Sequence, residues 1–165
     1  MIASVYGMSI IILLGLLSTS AHQAIRTDDP QLRLAIESGI ARSETFKALV
    51  AALDSSDVVV YVEPKVRMPI GLQAYLAHQM AKVGTHRVLR IVVSVDLHGD
   101  TLISILAHEL QHALEVADAP TVRTDHALSV MFRDTKRQCQ VCETERAQQI
   151  QTIVLRELQN KGEEN

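Results

Sequence analysis

Thr101-Leu-Ile-Ser-Ile-Leu-Ala-His108-Glu109-Leu-Gln-His112-Ala-Leu-Glu115-Val-Ala117 is the stretch on which the fold turns. Leu102, Leu106, Leu110, Ala113 and Ala117 recur at three- and four-residue steps, the period of a helix that buries one face. Asp100 offers a side-chain oxygen as N-cap, and Asp118-Ala-Pro120 stops the run because the residue before a proline resists helical geometry. A helix is therefore expected over 101–117. On it, His108 and His112 stand four apart, one turn along the same face, so two imidazoles can converge on one cation. Glu109 is offset by roughly 100° and can approach a water on that cation without being a ligand. The alternative is two surface histidines with an ordinary glutamate between them.

Upstream, Arg26-Thr-Asp-Asp-Pro30 reads as the start of a helix, with Pro30 in the first turn, followed by a loose apolar face of Leu32, Leu34, Ile36 and Ile40. Ser43 is a good N-cap for a second helix carrying Phe46, Leu49, Val50 and Leu53. Val58-Val-Val-Tyr-Val62 reads as a strand buried on both faces. The two prolines and the glycine of 64–71 mark a loop. Strands are expected over 72–82 and 87–95, joined at Val83-Gly-Thr-His86; the second alternates cleanly, whereas Ala and Gln in the first also suit a helix. Downstream of the long helix, two more are expected at about 122–133 and 143–158. The order is helices, a short, mostly antiparallel sheet, the long helix and two C-terminal helices, which is α+β.

The chain has 165 residues and fits one domain. Apolar residues make up 47%, enough for a core, and aromatics only 3%, so that core is built from Leu, Val, Ile and Ala. Charge is −3 with both signs interleaved, which provides no basic stripe for nucleic acid and no polybasic membrane patch. Residues 1–21 hold no charged side chain. Their run Ser9-Ile-Ile-Ile-Leu-Leu-Gly-Leu-Leu17 precedes small residues and then polar chain, the layout of a signal peptide. The same stretch is nearly long enough for a retained membrane anchor. Residues 22–40 then form an N-terminal segment and 41–160 the domain, exported to the periplasm or the exterior.

A hydrolytic Zn²⁺ site needs a third protein ligand and an open position. Asp118 would need a sharp turn after His112, where Glu115 stands instead; on a continuing helix it points roughly 240° away from His112. Glu115 shares the face of His112 but lies about 10 Å along the axis from His108, so it is better placed to hold a neighbouring ring than to ligate. His126 is a lone histidine on an expected helix. Glu143, opening the last helix, can close a site with two histidines, while Glu145 faces another way. The plain alternative for Glu143 is an acid stabilising its own helix N-terminus.

The run Leu106-Ala-His-Glu-Leu-Gln-His-Ala-Leu-Glu-Val-Ala117, with Leu89-Arg-Ile before it and Glu143-Thr and Leu155-Arg-Glu-Leu158 after it, resembles the zincin metallopeptidases. A glutamate on a later helix resembles their gluzincin branch. More closely, the run resembles a group of small exported bacterial proteins without an assigned function. That likeness covers about residues 40–158, including Arg42-Ser-Glu-Thr-Phe46 and Asp57-Val-Val-Val-Tyr-Val62. The resemblance implies Zn²⁺ at His108, His112 and Glu143, Glu109 as general base, and a peptide or protein substrate beside the strand that precedes the long helix. Gluzincins commonly supply a Tyr or His to the oxyanion; no Tyr follows Tyr75, and His126, Arg137 and Arg146 are the substitutes on offer.

Cys139 and Cys142 form a C-x-x-C without the βαβ context of a redox motif and without the second pair of a zinc knuckle. Two thiols or a local disulfide with no catalytic role is the reading preferred here. Peptide deformylases share the two-histidine helix but take a cysteine ligand from upstream, and both cysteines here are downstream. Two functional classes remain: a zinc-dependent peptidase or other amide hydrolase, and a non-catalytic metal-binding or structural envelope protein.

Overall fold

The structure, a computed structural model, describes residues 23–136 and 144–163. The expected signal peptide or anchor therefore lies outside the described residues, as do Arg137, Cys139, Cys142 and Glu143. Among the described residues, no helix is long and apolar enough to cross a membrane.

The chain runs β1 (Ile25–Arg26), α1 (Pro30–Arg42), α2 (Glu44–Asp54), β2 (Val58–Lys65), β3 (Ala74–Leu76), β4 (Ala81–Val83), β5 (His86–Ser94), α3 (Gly99–Ala117), α4 (Asp125–Lys136) and α5 (Glu145–Glu163). This is an α+β arrangement, as the order of patterns predicts. The sheet has the order β1-β2-β5-β3, with β4 also against β5. It is not mostly antiparallel. The two long strands pair in parallel, from Val58↔Arg87 to Lys65↔Ser94, and β1 joins β2 in parallel; only the short β3 and β4 run antiparallel to β5. Parallel neighbours need a crossover, and here the segment holding β3 and β4 supplies it in place of a helix.

That parallel register puts Val58, Val60 and Val62 on the same face as Leu89, Ile91 and Val93, all buried against the helices. On the opposite face, Tyr61, Glu63 and Arg90 are exposed. The Val58–Val62 run is thus covered by helices on one face only, which corrects the expectation of two buried faces. The run hides an alternation in which Tyr61 is exposed while the outward-facing Val59 is still buried.

Helix starts follow local chemistry. Asp29 caps α1 by accepting from the Leu32 N–H, and Ser43 caps α2 by accepting from the Phe46 N–H. Asp100, expected as the cap of α3, instead sits in its first turn and takes two hydrogen bonds from Arg42, at 2.7 and 3.2 Å. His98 holds the cap position, and its ring is bonded to Gln31. The strand expected over 72–82 is broken into β3 and β4. Between them the chain turns from the sheet toward α4: the Met80 N–H donates to Asp125, and His78 stacks on Phe132. Helix α4 begins later than expected, behind Thr124, whose hydroxyl accepts from the Ala127 N–H. Helix α5 starts behind Thr144 and continues past Leu158.

Helix α3 lies against the sheet and is flanked by α2 and α5. Leu102, Ile103, Leu106, Leu110, Ala113 and Val116 are all buried in the common core. Gly39 lets α1 come close. A Cβ there would stand 2.9 Å from the Ile103 methyl and 2.9 Å from the Phe46 ring.

Candidate metal centre

His108 and His112 occupy the middle of α3, and helical spacing alone brings their rings within reach. The rings cross at 79° with centroids 4.8 Å apart, and their Nε2 atoms point at each other across 3.2 Å. Two nitrogens bound at 2.0–2.1 Å to one tetrahedral Zn²⁺ would lie about 3.3 Å apart. The observed separation matches that spacing and is equally that of a hydrogen bond between the two rings. Both rings are nearly closed to solvent, His108 at 7% and His112 at 3% exposure, and Glu109 beside them is 7% exposed.

What orients His112 is Glu115. Its Oε2 lies 3.1 Å from His112 Nδ1, and its Oε1 accepts from the Thr144 hydroxyl at 2.6 Å. Burial alone would raise the Glu115 carboxyl, but the hydrogen bonds from His112 and Thr144 outweigh it and hold the group below its usual range. The carboxylate is then ionised at neutral pH and can only accept, so Nδ1 of His112 carries the proton. In the neutral ring this leaves the Nε2 lone pair directed toward His108, the form a metal ligand requires. A carboxylate behind a ligating imidazole is the usual way a ring is fixed and its basicity raised. Glu115 thus takes the ring-holding place its spacing predicts.

Phe132 of α4 supports the same ring from another side, packing edge-on to His112 at 5.5 Å and 86°, and His78 stacks parallel to Phe132 at 5.4 Å. Neither residue was visible as part of a site in the sequence, because each is brought in by tertiary packing from a distant segment. Thr144 was equally missed, although a threonine ahead of a helical pattern is a recognisable cap signal.

The remaining candidates separate plainly. Asp118, at the end of α3, is exposed, as are His126 on α4 and Glu145 and Arg146 on α5. None of these joins the histidine pair. Among the described residues, no group of three His, Cys, Asp or Glu side chains is set to hold a metal. Glu143 lies outside those residues, directly before Thr144 in the chain. A groove of about 650 Å³ lies elsewhere, between the 66–73 segment and Ser94, Asp96 and Leu97, and contains none of the candidate residues. Comparison of the chain with protein-family models, with curated proteins and with solved structures finds no match.

Proposed function

We propose that this chain is a zinc-dependent, zincin-like amide hydrolase, acting on peptide or protein substrates outside the cytoplasm. His108 and His112 are two of its ligands, Glu143 the third, and Glu109 the general base. The observation that carries the reading is the convergence of the two Nε2 atoms at 3.2 Å, with His112 held by Glu115 in the tautomer a metal needs. The choice of Glu143 rests on the sequence resemblance and its place ahead of the last helix.

Zn²⁺ bound there would polarise a scissile carbonyl and make an attacking water acidic near neutral pH. The chain's own residues do the rest. His108 and His112 offer lone pairs from one helix face. Glu109, one residue on from His108, accepts the proton of the attacking water and returns it to the departing amine nitrogen. Helix α3 keeps these three groups in register, and the low exposure of all three excludes competing water.

A second reading, metal binding without catalysis, is favoured by one observation: His126 and Arg146, candidate oxyanion partners, both face solvent. One experiment separates the two. The purified full chain should carry about one Zn²⁺, and His108→Ala or His112→Ala should lose it; a metal-free wild type under mild purification defeats both readings. Glu109→Ala should keep the metal. Hydrolysis of a peptide library by the wild type and not by Glu109→Ala establishes the enzyme, and zinc without any cleavage establishes the non-catalytic protein.

A further inference from the structure

We propose that Thr144 is a positioning residue of the metal centre: its hydroxyl fixes the Glu115 carboxylate, which fixes the His112 ring, so the start of the last helix sets the orientation of a ligand on α3. The inference rests on the reading of His108 and His112 as metal ligands.

The hydroxyl has one hydrogen and two lone pairs. It accepts from the Ala147 N–H at 3.2 Å as the N-cap of α5. Toward Glu115 Oε1, at 2.6 Å, it donates that one hydrogen. The other carboxylate oxygen meets His112 Nδ1 at 3.1 Å. Held on both oxygens, the carboxylate cannot rotate without breaking one bond. The side chains are 4% exposed at His112 and 14% at Glu115, so water is poorly placed to replace either partner, and bonds in such surroundings are strong.

Capping alone does not ask for this residue. Asp and Asn cap a helix at least as well as Thr. An aspartate, however, would set a second carboxylate against Glu115 and has no proton to donate. The donor toward Glu115 is what Thr supplies and Ser can also supply. Capping and positioning are therefore separable by substitution.

The test compares Thr144→Asp, Thr144→Ser and Thr144→Val in the full chain. Zn²⁺ affinity is read by competition with a chromogenic chelator, and the tautomer of the metal-free His112 ring by NMR, with thermal unfolding as the control for folding. Thr144→Asp is expected to unfold near the wild-type temperature while its Kd for Zn²⁺ rises roughly 10- to 100-fold. Its His112 ring should lose the uniform Nδ1–H form. Thr144→Ser restores affinity and tautomer; Thr144→Val loses them together with the cap. Should Thr144→Asp bind Zn²⁺ as tightly as the wild type with the tautomer unchanged, Thr144 is a helix cap and nothing more. If even the wild type binds no Zn²⁺, the metal reading fails by itself. The tautomer then still decides whether Thr144 controls His112: a shift in Thr144→Asp upholds the relay and an unchanged ring overturns it.

Discussion

His112 is gripped on three sides: Glu115 at Nδ1, Phe132 at the ring edge and His108 across from Nε2. Of these, only the contacts within α3 could be read in the chain, because helical geometry fixes residues three and four apart as neighbours. That is why His108, His112 and the supporting role of Glu115 were legible, while Phe132 and His78 were not. Their approach depends on where α4 and the β3–β4 segment settle on the core. Glu115 is the grip with a chemical consequence. Glu115→Ala should weaken Zn²⁺ binding by about 10- to 100-fold in a chelator competition, and Glu115→Gln, which keeps an acceptor oxygen but loses the charge, should fall between it and the wild type. Equal affinity for all three would assign the ring's orientation to Phe132 packing.

Among the elements, helices were easier to foresee than the sheet, and the reason is the range of the forces. Ser43 caps α2 using neighbours three residues away, so its role follows from local sequence. Strand direction does not. β2 and β5 each alternate equally well in either direction, and the parallel register arises from a crossover that no local pattern encodes. Tertiary contact also overrode local preference at Asp100, which Arg42 draws into an ion pair at 2.7 Å. The start of α2 carries a second such contact. Glu157 of α5 accepts from the Ser43 hydroxyl at 2.5 Å, the Thr45 N–H at 3.1 Å and the Thr45 hydroxyl at 2.7 Å. Burial works to raise the Glu157 carboxyl, yet these bonds hold it below the ordinary 4.5. A carboxyl whose folded pKa is depressed adds stability above its unfolded pKa and loses it as pH falls through the folded value. Glu157→Gln should therefore cost about 1–3 kcal/mol in urea unfolding at pH 7. The gap between the two proteins should narrow as pH falls below the ordinary carboxylate range; a pH-independent gap would mean that shape and not charge secures α5 to α2.

For the molecule as a whole, the sheet and the histidine-bearing helix are joined through a buried cation. Arg87 lies on the core face of β5 and is wholly buried. Its guanidinium pairs with Asp57 at 2.5 Å and donates to the carbonyls of Val116, Ala117, Ala119 and Val122 at 2.7 to 3.1 Å. Those acceptors are the last carbonyls of α3 and the turn that follows, of which Val116 and Ala119 also accept from the backbone N–H groups of Ala119 and Val122, and a cation there complements the helix dipole. Hydrogen bonding to Arg87 in turn holds the Asp57 carboxyl below its usual range. In sequence, Arg87 reads only as a polar residue at the head of a strand; nothing local reveals that it closes the far end of another element. Its removal takes a donor from four carbonyls and leaves Asp57, a third exposed, to Arg123 alone, so Arg87→Met should destabilise the fold by about 1–3 kcal/mol. Arg87→Lys should recover little, since one ammonium cannot span acceptors that a planar fork reaches at once. The damage has a direction as well as a size. His112 lies barely more than one turn before Val116, so fraying from the C-terminal end of α3 reaches the histidine pair early. Hydrogen exchange in Arg87→Met should accelerate first at the amides of 112–118 and only later in β2 and β5. Uniform acceleration across sheet and helix would show instead that Arg87 secures the core as a single unit.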